Sequence, residues 1–236
     1  LHCFRDTLYV GGQFFFLGGA TRGNLGAVDL TSGQATSWDM SAQETPPFRF
    51  LQERVSSFAV DDSVLYVGGV FNRIAGASRS SVAALNLNSR TVSSWDPHGS
   101  QTFVPPSVTA LGLDGGKLYL GCSFDSLGGR PTAGISVVLN TTTAGAIDTW
   151  SPAPNLIVHC FASGPEQLYM GGDFTSIGPY VRRRFLAALD TTGNLTDWHP
   201  EPDYIVEALA VRNGKVYAGG EFSFVNGLPR YGIAEI

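Results

Sequence analysis

Apolar residues in this chain come in short runs of five or six, broken repeatedly by glycine, asparagine, aspartate or serine. Runs of that length bounded by turn residues read as β-strands, and their near-continuous apolar character fits sheets covered on both faces. The clearest run occurs five times: Leu8–Phe14 (LYVGGQF), Leu65–Phe71 (LYVGGVF), Leu118–Phe124 (LYLGCSF), Leu168–Phe174 (LYMGGDF) and Val216–Phe222 (VYAGGEF). Its first glycines stand at 11, 68, 121, 171 and 219, so the spacing shortens from 57 to 48 residues along the chain. Four tryptophans keep the same beat, Trp38, Trp95, Trp150 and Trp198, and the last three each open a Trp-x-Pro. A fixed period of this size is the signature of a repeat architecture.

Each unit is predicted to hold four strands. A first strand (Val55–Val60, Val108–Leu113, Val206–Val211) leads through a turn such as Asp114-Gly115-Gly116 into the Leu-Tyr-Val-Gly-Gly strand. Glycine in such turns supplies the positive φ that a tight hairpin needs. A loop ending near an arginine precedes the third strand: Leu25–Leu30, Val82–Leu87, Ile135–Leu139, Leu186–Asp190 and Ile233–Ile236. A Thr/Ser/Gly turn then leads to a fourth strand closed by the tryptophan, and a proline-rich loop reaches the next unit. Four short antiparallel strands per unit build a radial blade rather than the one-strand coil of a solenoid. The expected class is therefore all-β, a β-propeller of four-stranded antiparallel blades. It forms one domain over 1–236, with blades near 1–40, 54–97, 107–152, 156–200 and 204–236, the first and last incomplete. Gly-Gly inside a strand weakens it unless something approaches closely, so an aromatic ring or an adjoining blade is expected there. Cys122 replaces the second glycine of the third unit, which calls for more room in that blade.

These residues resemble the delta-60 repeat family of β-propellers, whose units read approximately LYVGGxF…G…R…LAxLD…G. The resemblance covers all five units. Its arginine stands eight residues after the phenylalanine as Arg22, Arg79, Arg182 and Arg230, and has moved to Arg130 in the third unit. The fourth unit carries the insertion Arg182-Arg183-Arg184. The layout is also similar to kelch, a weaker match because GGxF and the arginine are not its signature. The resemblance implies a propeller and a place in large secreted or surface-attached proteins; it transfers no catalytic residue.

Composition agrees with the pattern. Glycine makes up 29 of 236 residues and charged side chains only 15%, against about 7% glycine and about 25% charge in an average domain. A net charge of −5 removes the electrostatic footprint of a nucleic-acid binder. No apolar run approaches the roughly 18 residues of a membrane span. Leu1 is not a start methionine, residues 1–30 hold no leader pattern, and the repeat opens within a first strand and stops after a third. The expectation is an excerpt of a larger propeller or multi-domain chain, with neighbouring blades or domains as partners.

Candidate chemistry is sparse. Cys3, Cys122 and Cys160 form no CxxC and are expected to be buried thiols, with one disulfide as the lesser alternative. His2, His98, His159 and His199 show no metal-ligand spacing, no nucleophile elbow or phosphate loop is present, and no cofactor is expected. His159 stands where other first strands carry Ser56 and Thr109, as a packed or channel-facing side chain. The slot after Gly-Gly is Gln13, Val70, Ser123, Asp173 and Glu221; an Asp173–Glu221 pair on neighbouring blades is the one candidate for acid chemistry of the glycosidase type. Arg182, Arg183 and Arg184 form the basic cluster that could hold an acidic partner. Asn140 and Asn194 open Asn-x-Thr sequons at the turn after the third strand, as candidate glycosylation sites. The function expected is a non-catalytic extracellular or cell-surface module, a structural scaffold or adhesion domain whose loops, 41–53 and 98–106 above all, meet a protein or glycan. A lectin is the alternative, and a glycoside hydrolase the lesser one.

Overall fold

Antiparallel sheets follow the repeat one by one in the computed structural model, which describes residues 1–43, 53–100, 106–132, 134–138, 152–178 and 181–236. The first sheet joins His2–Phe4, Thr7–Gly11 and Leu25–Asp29. The second joins Arg54–Asp61, Val64–Val70, Val82–Asn86 and the two-residue strand Thr91–Val92. The third joins Val108–Asp114, Lys117–Cys122 and Ile135–Val138. The fourth joins Val158–Ser163, Gln167–Gly172 and Leu186–Asp190, and the fifth Val206–Arg212, Lys215–Gly220 and Ile233–Glu235. The inner, first strands of sheets two to five lie side by side, and no strand of the first sheet pairs with one of the fifth.

Between successive sheets sits the core: the middle sheets are buried on both faces, while the first and fifth are more exposed. Leu65 and Val67 pack toward Tyr9 and Trp38 of the first sheet, while the intervening Tyr66 packs with Trp95 against Leu118 and Leu120 of the third. The same alternation places Tyr119 against Leu168 and Met170, and Trp198 against Ala218. Each repeat tyrosine meets its own tryptophan edge-on: Tyr9–Trp38 at 5.0 Å, Tyr66–Trp95 at 5.4 Å and Tyr169–Trp198 at 4.8 Å between centroids. Trp150 lies outside the described residues.

The two glycines do different work. A Cβ on the first would collide with the inner valine of the next sheet: 2.4 Å from Val55 Cγ1 at Gly11, 2.5 Å from Val108 Cγ1 at Gly68, 2.7 Å from Val206 Cγ1 at Gly171. A Cβ on the second would strike the carbonyl that enters its own inner strand: 2.1 Å from Arg54 O at Gly69, 2.1 Å from Ile157 O at Gly172, 2.2 Å from Ile205 O at Gly220. There the inner strand bulges, between Val55 and Ser57, Val158 and Cys160, and Val206 and Ala208. The expected close approach is thus made by a neighbouring sheet at one glycine and by the sheet's own backbone at the other. Cys122 is buried beside the equivalent bulge, between Val108 and Ala110.

Fourth strands are shorter than predicted. One residue pair forms in the first and fourth units, Val28 with Ala35 and Leu189 with Leu195, and two in the second. The reason is local: a hydroxyl two residues before three of the tryptophans accepts their amides, Thr36 for Trp38, Ser93 for Trp95 and Thr196 for Trp198. Such a bond turns the chain out of the ladder. The repeat arginine holds the turned segment: a guanidinium nitrogen donates to Thr36 O from Arg22 (2.7 Å), to Ser93 O from Arg79 (2.5 Å) and to Thr196 O from Arg183 (2.9 Å). The arginine of the fourth unit is therefore Arg183, not Arg182. In the third unit Thr132 stands eight residues after the phenylalanine and its hydroxyl donates to Phe124 O, while the segment that Arg130 would hold lies outside the described residues.

The loop predicted before the arginine is a small hairpin in every unit: Phe16–Leu17 with Ala20–Thr21, Arg73–Ile74 with Ala77–Ser78, Ser126–Leu127 with Arg130–Pro131, Ser176–Ile177 with Val181–Arg182, and Phe224–Val225 with Leu228–Pro229. Two-residue turns with positive φ close four of them, for example Asn226 (50°) and Gly227 (73°). The segment entering each of sheets two to five lies on the hairpin of that unit: Ala42–Gln43 on Arg73–Ile74, Gly99–Ser100 on Ser126–Leu127, Pro154 on Ile177 and Pro202 on Val225.

The glycine interlock makes a paired prediction. Gly68→Ala should cost about 2 kcal/mol or more in urea unfolding, since a methyl forced into a filled space strains the core. Gly219→Ala should be nearly silent, because the nearest atom to its Cβ would be 3.8 Å away.

Candidate functional site

The inner strands of sheets two to four bring Ser56, Thr109 and His159 to one cavity. The position after the inner valine is Ser56, Thr109, His159 and Glu207 in sheets two to five. A cavity of about 240 Å³ opens there, lined by Leu1, Ser56, Ser57, Thr109, His159 and Cys160 among others. His159 contributes to the wall of this cavity and is half-buried. Its Nε2 lies 4.0 Å from Asp173 Oδ2 of the same sheet. Thr109 ties two sheets together, its hydroxyl 2.7 Å from Val158 O and 3.1 Å from Gly121 O. Ser57 Oγ is buried without a hydrogen-bonding partner in the protein.

The thiol in this cavity is inert. Burial above all, with a smaller push from the nearby Glu207 carboxylate, raises the Cys160 pKa to about 12. A thiol held protonated is neither a nucleophile nor a metal ligand at neutral pH. All three cysteines are free; Cys122 is buried, whereas Cys3 is exposed, contrary to the expectation, on the first sheet. Among the described residues no three His, Cys, Asp or Glu side chains come together in a metal-binding group.

The two acids considered for hydrolysis have unlike surroundings. Asp173 faces His159 and keeps one carboxylate oxygen buried, while Glu221 is exposed. Their backbones are equivalent, each amide donating to the carbonyl before the inner valine, Ile157 O at 3.1 Å and Ile205 O at 2.9 Å. Of the basic cluster, Arg182 and Arg184 are exposed and Arg183 is committed to Thr196. Asn194 is exposed in the turn after the fourth sheet's third strand, its amide nitrogen 2.7 Å from Thr192 Oγ1. Asn140 lies outside the described residues, as do 44–52 and 101–105 of the two loops expected to bind partners. A second cavity, about 390 Å³, lies between sheets three and four; Ser107, Ser123, Phe124, Asn155, Leu156 and Ile157 contribute to its wall.

Sequence reasoning missed a carboxamide and a carboxylate that fasten hairpins. Asn155 Oδ1 accepts the amides of Thr175 (2.9 Å) and Ser176 (3.1 Å), and Asp203 Oδ1 those of Ser223 and Phe224, both at 2.8 Å. Their signal, Pro-Asn and Pro-Asp ahead of an inner strand, stood in the sequence. The amide of Phe224, then that of Ser223, holds the Asp203 carboxyl below the usual carboxylate range. Asp190 is lowered too, first by the Thr192 hydroxyl.

No protein-family model matches the chain, and no curated protein matches it in sequence. Among solved structures it is similar to the computationally designed Ika8 protein, with a TM-score of 0.58 and 14% identity over 98% of this chain and 58% of that one. It is also similar to the designed Ika4 protein (TM-score 0.49, 13% identity, 80% of this chain and 94% of that). A third likeness is to the Pan2 WD40 domain of Neurospora crassa (TM-score 0.48, 11% identity, 84% and 53%). The chain thus spans less than two thirds of the Ika8 protein it matches. The likeness to Ika8 and the radial stacking of the sheets establish a β-propeller-like, all-β fold.

Two outcomes test these assignments. Arg183→Ala should lower stability by about 1–3 kcal/mol, the cost of an unmade bond to a charged donor, whereas Arg182→Ala should stay within about 0.5 kcal/mol of the parent. A carboxylate whose folded pKa is depressed stabilises the fold above its unfolded pKa, near 3.9, and that stabilisation is lost as pH falls through the folded value. Asp203→Asn keeps the acceptor oxygen, as Asn155 does, so melting curves of this variant should fall less than the parent's on acidification from about pH 5 to about pH 2.5.

Proposed function

We propose that the chain is a non-catalytic protein-interaction module, a delta-60-type β-propeller scaffold acting at the cell surface or outside the cell. The observation that carries this reading is where the recurrent residues go. The tyrosines and tryptophans fill the space between sheets, the glycines admit a neighbouring valine or carbonyl, and the arginines hold the turned segment. None faces the first cavity with reactive chemistry, and its Cys160 thiol is held protonated. What varies from unit to unit lies in the connecting segments and the slot after Gly-Gly, and loops on a rigid scaffold are where recognition is placed. The exposed Arg182 and Arg184 would add an acidic group of a protein or glycan partner, and Asn140 and Asn194 would carry glycans. A repeated sugar pocket, as a lectin would show, has no counterpart in the repeat pattern.

Secretion from eukaryotic cells tests the location: the purified chain should lose mass on enzymatic deglycosylation, and the loss should vanish in Asn140→Gln/Asn194→Gln. An unshifted mass would remove the extracellular reading. Turnover of a panel of chromogenic glycosides, with an acidic optimum abolished by Asp173→Asn, would overturn the non-catalytic one.

A further inference from the structure

Just before its third strand each unit has one residue at positive φ: Asn24 (64°), Ser81 (60°), Gly134 (77°), Phe185 (63°) and Gly232 (87°). The five are equivalent, because the carbonyl of each accepts the amide at the second glycine's position, that of Gly12, Gly69, Cys122, Gly172 and Gly220 in turn. In units one, two and four the side chain there reaches across the seam to the segment that enters the next sheet. Asn24 Nδ2 donates to Ala42 O at 3.0 Å, Ser81 Oγ donates to Pro106 O at 2.6 Å, and the Phe185 ring lies 6.0 Å from that of Tyr204. All three side chains are buried. Positive φ is strained for phenylalanine above all, and burial of its ring in the seam offsets that strain.

The third unit sends no side chain across. Its residue is Gly134, and the 390 Å³ cavity opens beside it, with Pro154 O and Pro154 Cγ each 3.2 Å from the Cβ position. Across the seam Leu156 stands where the next unit has Tyr204, since Pro154-Asn155-Leu156-Ile157-Val158 aligns with Pro202-Asp203-Tyr204-Ile205-Val206. A pair of rings in one seam is thus a glycine and a leucine in the other. Leu156 and Ile157, both on the cavity, are left 51% and 48% exposed. Among the described residues that line it none is charged. Its polar groups are the Ser107 and Ser123 hydroxyls, 3.0 Å apart, and the Pro154 carbonyl.

We propose that the seam between sheets three and four is a binding site for a small uncharged aromatic molecule carrying a hydroxyl or carboxamide group. The other seams show what this place accepts: a carboxamide in unit one, a hydroxyl in unit two and a phenyl ring in unit four. A bound ring takes the room that Phe185 and Tyr204 fill in the next seam and covers Leu156 and Ile157. Its donor group meets the Pro154 carbonyl, as Asn24 and Ser81 meet theirs. A charged molecule is disfavoured, because an ion buried without a counter-charge loses its hydration and gains nothing in return. A cavity of about 150 Å³ already admits benzene, so 390 Å³ holds a substituted ring. Apolar walls with a few polar groups are the usual make-up of a small-molecule site. The site goes beyond the interaction-module reading and does not depend on it.

Titrating para-hydroxybenzamide into the full chain, followed by amide proton–nitrogen correlation spectra, tests it. Saturable shifts are expected at the seam, the Ser107, Ser123 and Gly134 amides among them, with a Kd of about 1 mM or tighter, within reach of a ligand of roughly ten non-hydrogen atoms. The anion para-hydroxybenzoate, of the same size, should bind about 10-fold more weakly or worse. Two substitutions fill the site from opposite walls with residues used in the other seams: Gly134→Asn, after Asn24, and Leu156→Tyr, after Tyr204. Asparagine tolerates positive φ, and Leu156 is half exposed, so the second variant decides the matter even where the first does not fold. Each should weaken binding about 10-fold or more without lowering Tm. Absent saturation up to about 10 mM, equal affinity for the benzoate, shifts away from the seam, or unaltered binding in Leu156→Tyr would each overturn the proposal. None of these outcomes bears on glycosylation or glycoside turnover, so the proposal and the broader reading fail separately.

Discussion

Everything in this molecule follows from how near one sheet may come to the next. The approach is set by the missing Cβ of a single repeated glycine, into whose space the following sheet sets a valine. With the backbone of one sheet touching the side chain of the next, the tyrosine and tryptophan on that face can meet edge-on and still reach the neighbour's leucines. Interiors at crystal-like density tolerate no extra methyl at such a place. The second glycine obeys a separate demand, because the inner strand bulges as it enters and presses a carbonyl onto it. One dipeptide thus sets both the distance between sheets and the course of the strand within a sheet.

A second constraint is polar. Turning the chain out of the ladder at Thr/Ser-x-Trp leaves a carbonyl that needs a donor, and burial makes an unpaired one costly. The repeat arginine answers it from the hairpin, with a second nitrogen on the carbonyl just before it, as Arg22 does on Thr21 and Arg79 on Ser78. Its charge has a purpose beyond number: the guanidinium is planar and always protonated, so it can hold two carbonyls at once without risk of losing a proton. In the third unit Thr132 stands at that position, and its hydroxyl donates instead to the carbonyl of the repeat phenylalanine, Phe124.

This logic explains what the sequence made legible. Strands two and three were plain, because Leu-Tyr-Val-Gly-Gly and Leu-Ala-Ala-Leu-Asp are long enough to show their character. The small hairpins were not, since a two-residue strand carries no periodicity. Their signature was nonetheless written in Ile74-Ala75-Gly76 and Val225-Asn226-Gly227. Counting eight residues from the phenylalanine misplaced the fourth unit's arginine because the pair Ile177–Val181 encloses one more residue than the pair Ile74–Ala77. Fourth strands were overdrawn for the opposite reason: a tryptophan after an apolar stretch reads as strand, while the hydroxyl that ends the strand reads as filler. Of the candidate site, His159 was legible as a departure from Ser56 and Thr109, but its facing of Asp173 was not, for the bulge resets which side chains share a face.

Repetition also separates residues that hold the fold from residues free to do something else. A role filled in the same way in successive units, as Arg22, Arg79 and Arg183 fill theirs, is structural whatever its chemistry suggests. Arg183 leaves the basic cluster on that ground, although three consecutive arginines look like a binding patch. The converse holds at the junction of sheets three and four. There the second glycine has become Cys122, which lines the 390 Å³ cavity together with Ile157. A Cβ at that glycine would displace the entering carbonyl in sheets two, four and five, whereas in sheet three Cys122 carries one beside the same bulge, with the Ser123 amide still 2.9 Å from Ser107 O. The departure from the repeat and the cavity thus stand at one seam, and a repeat fold acquires an individual surface without any new element.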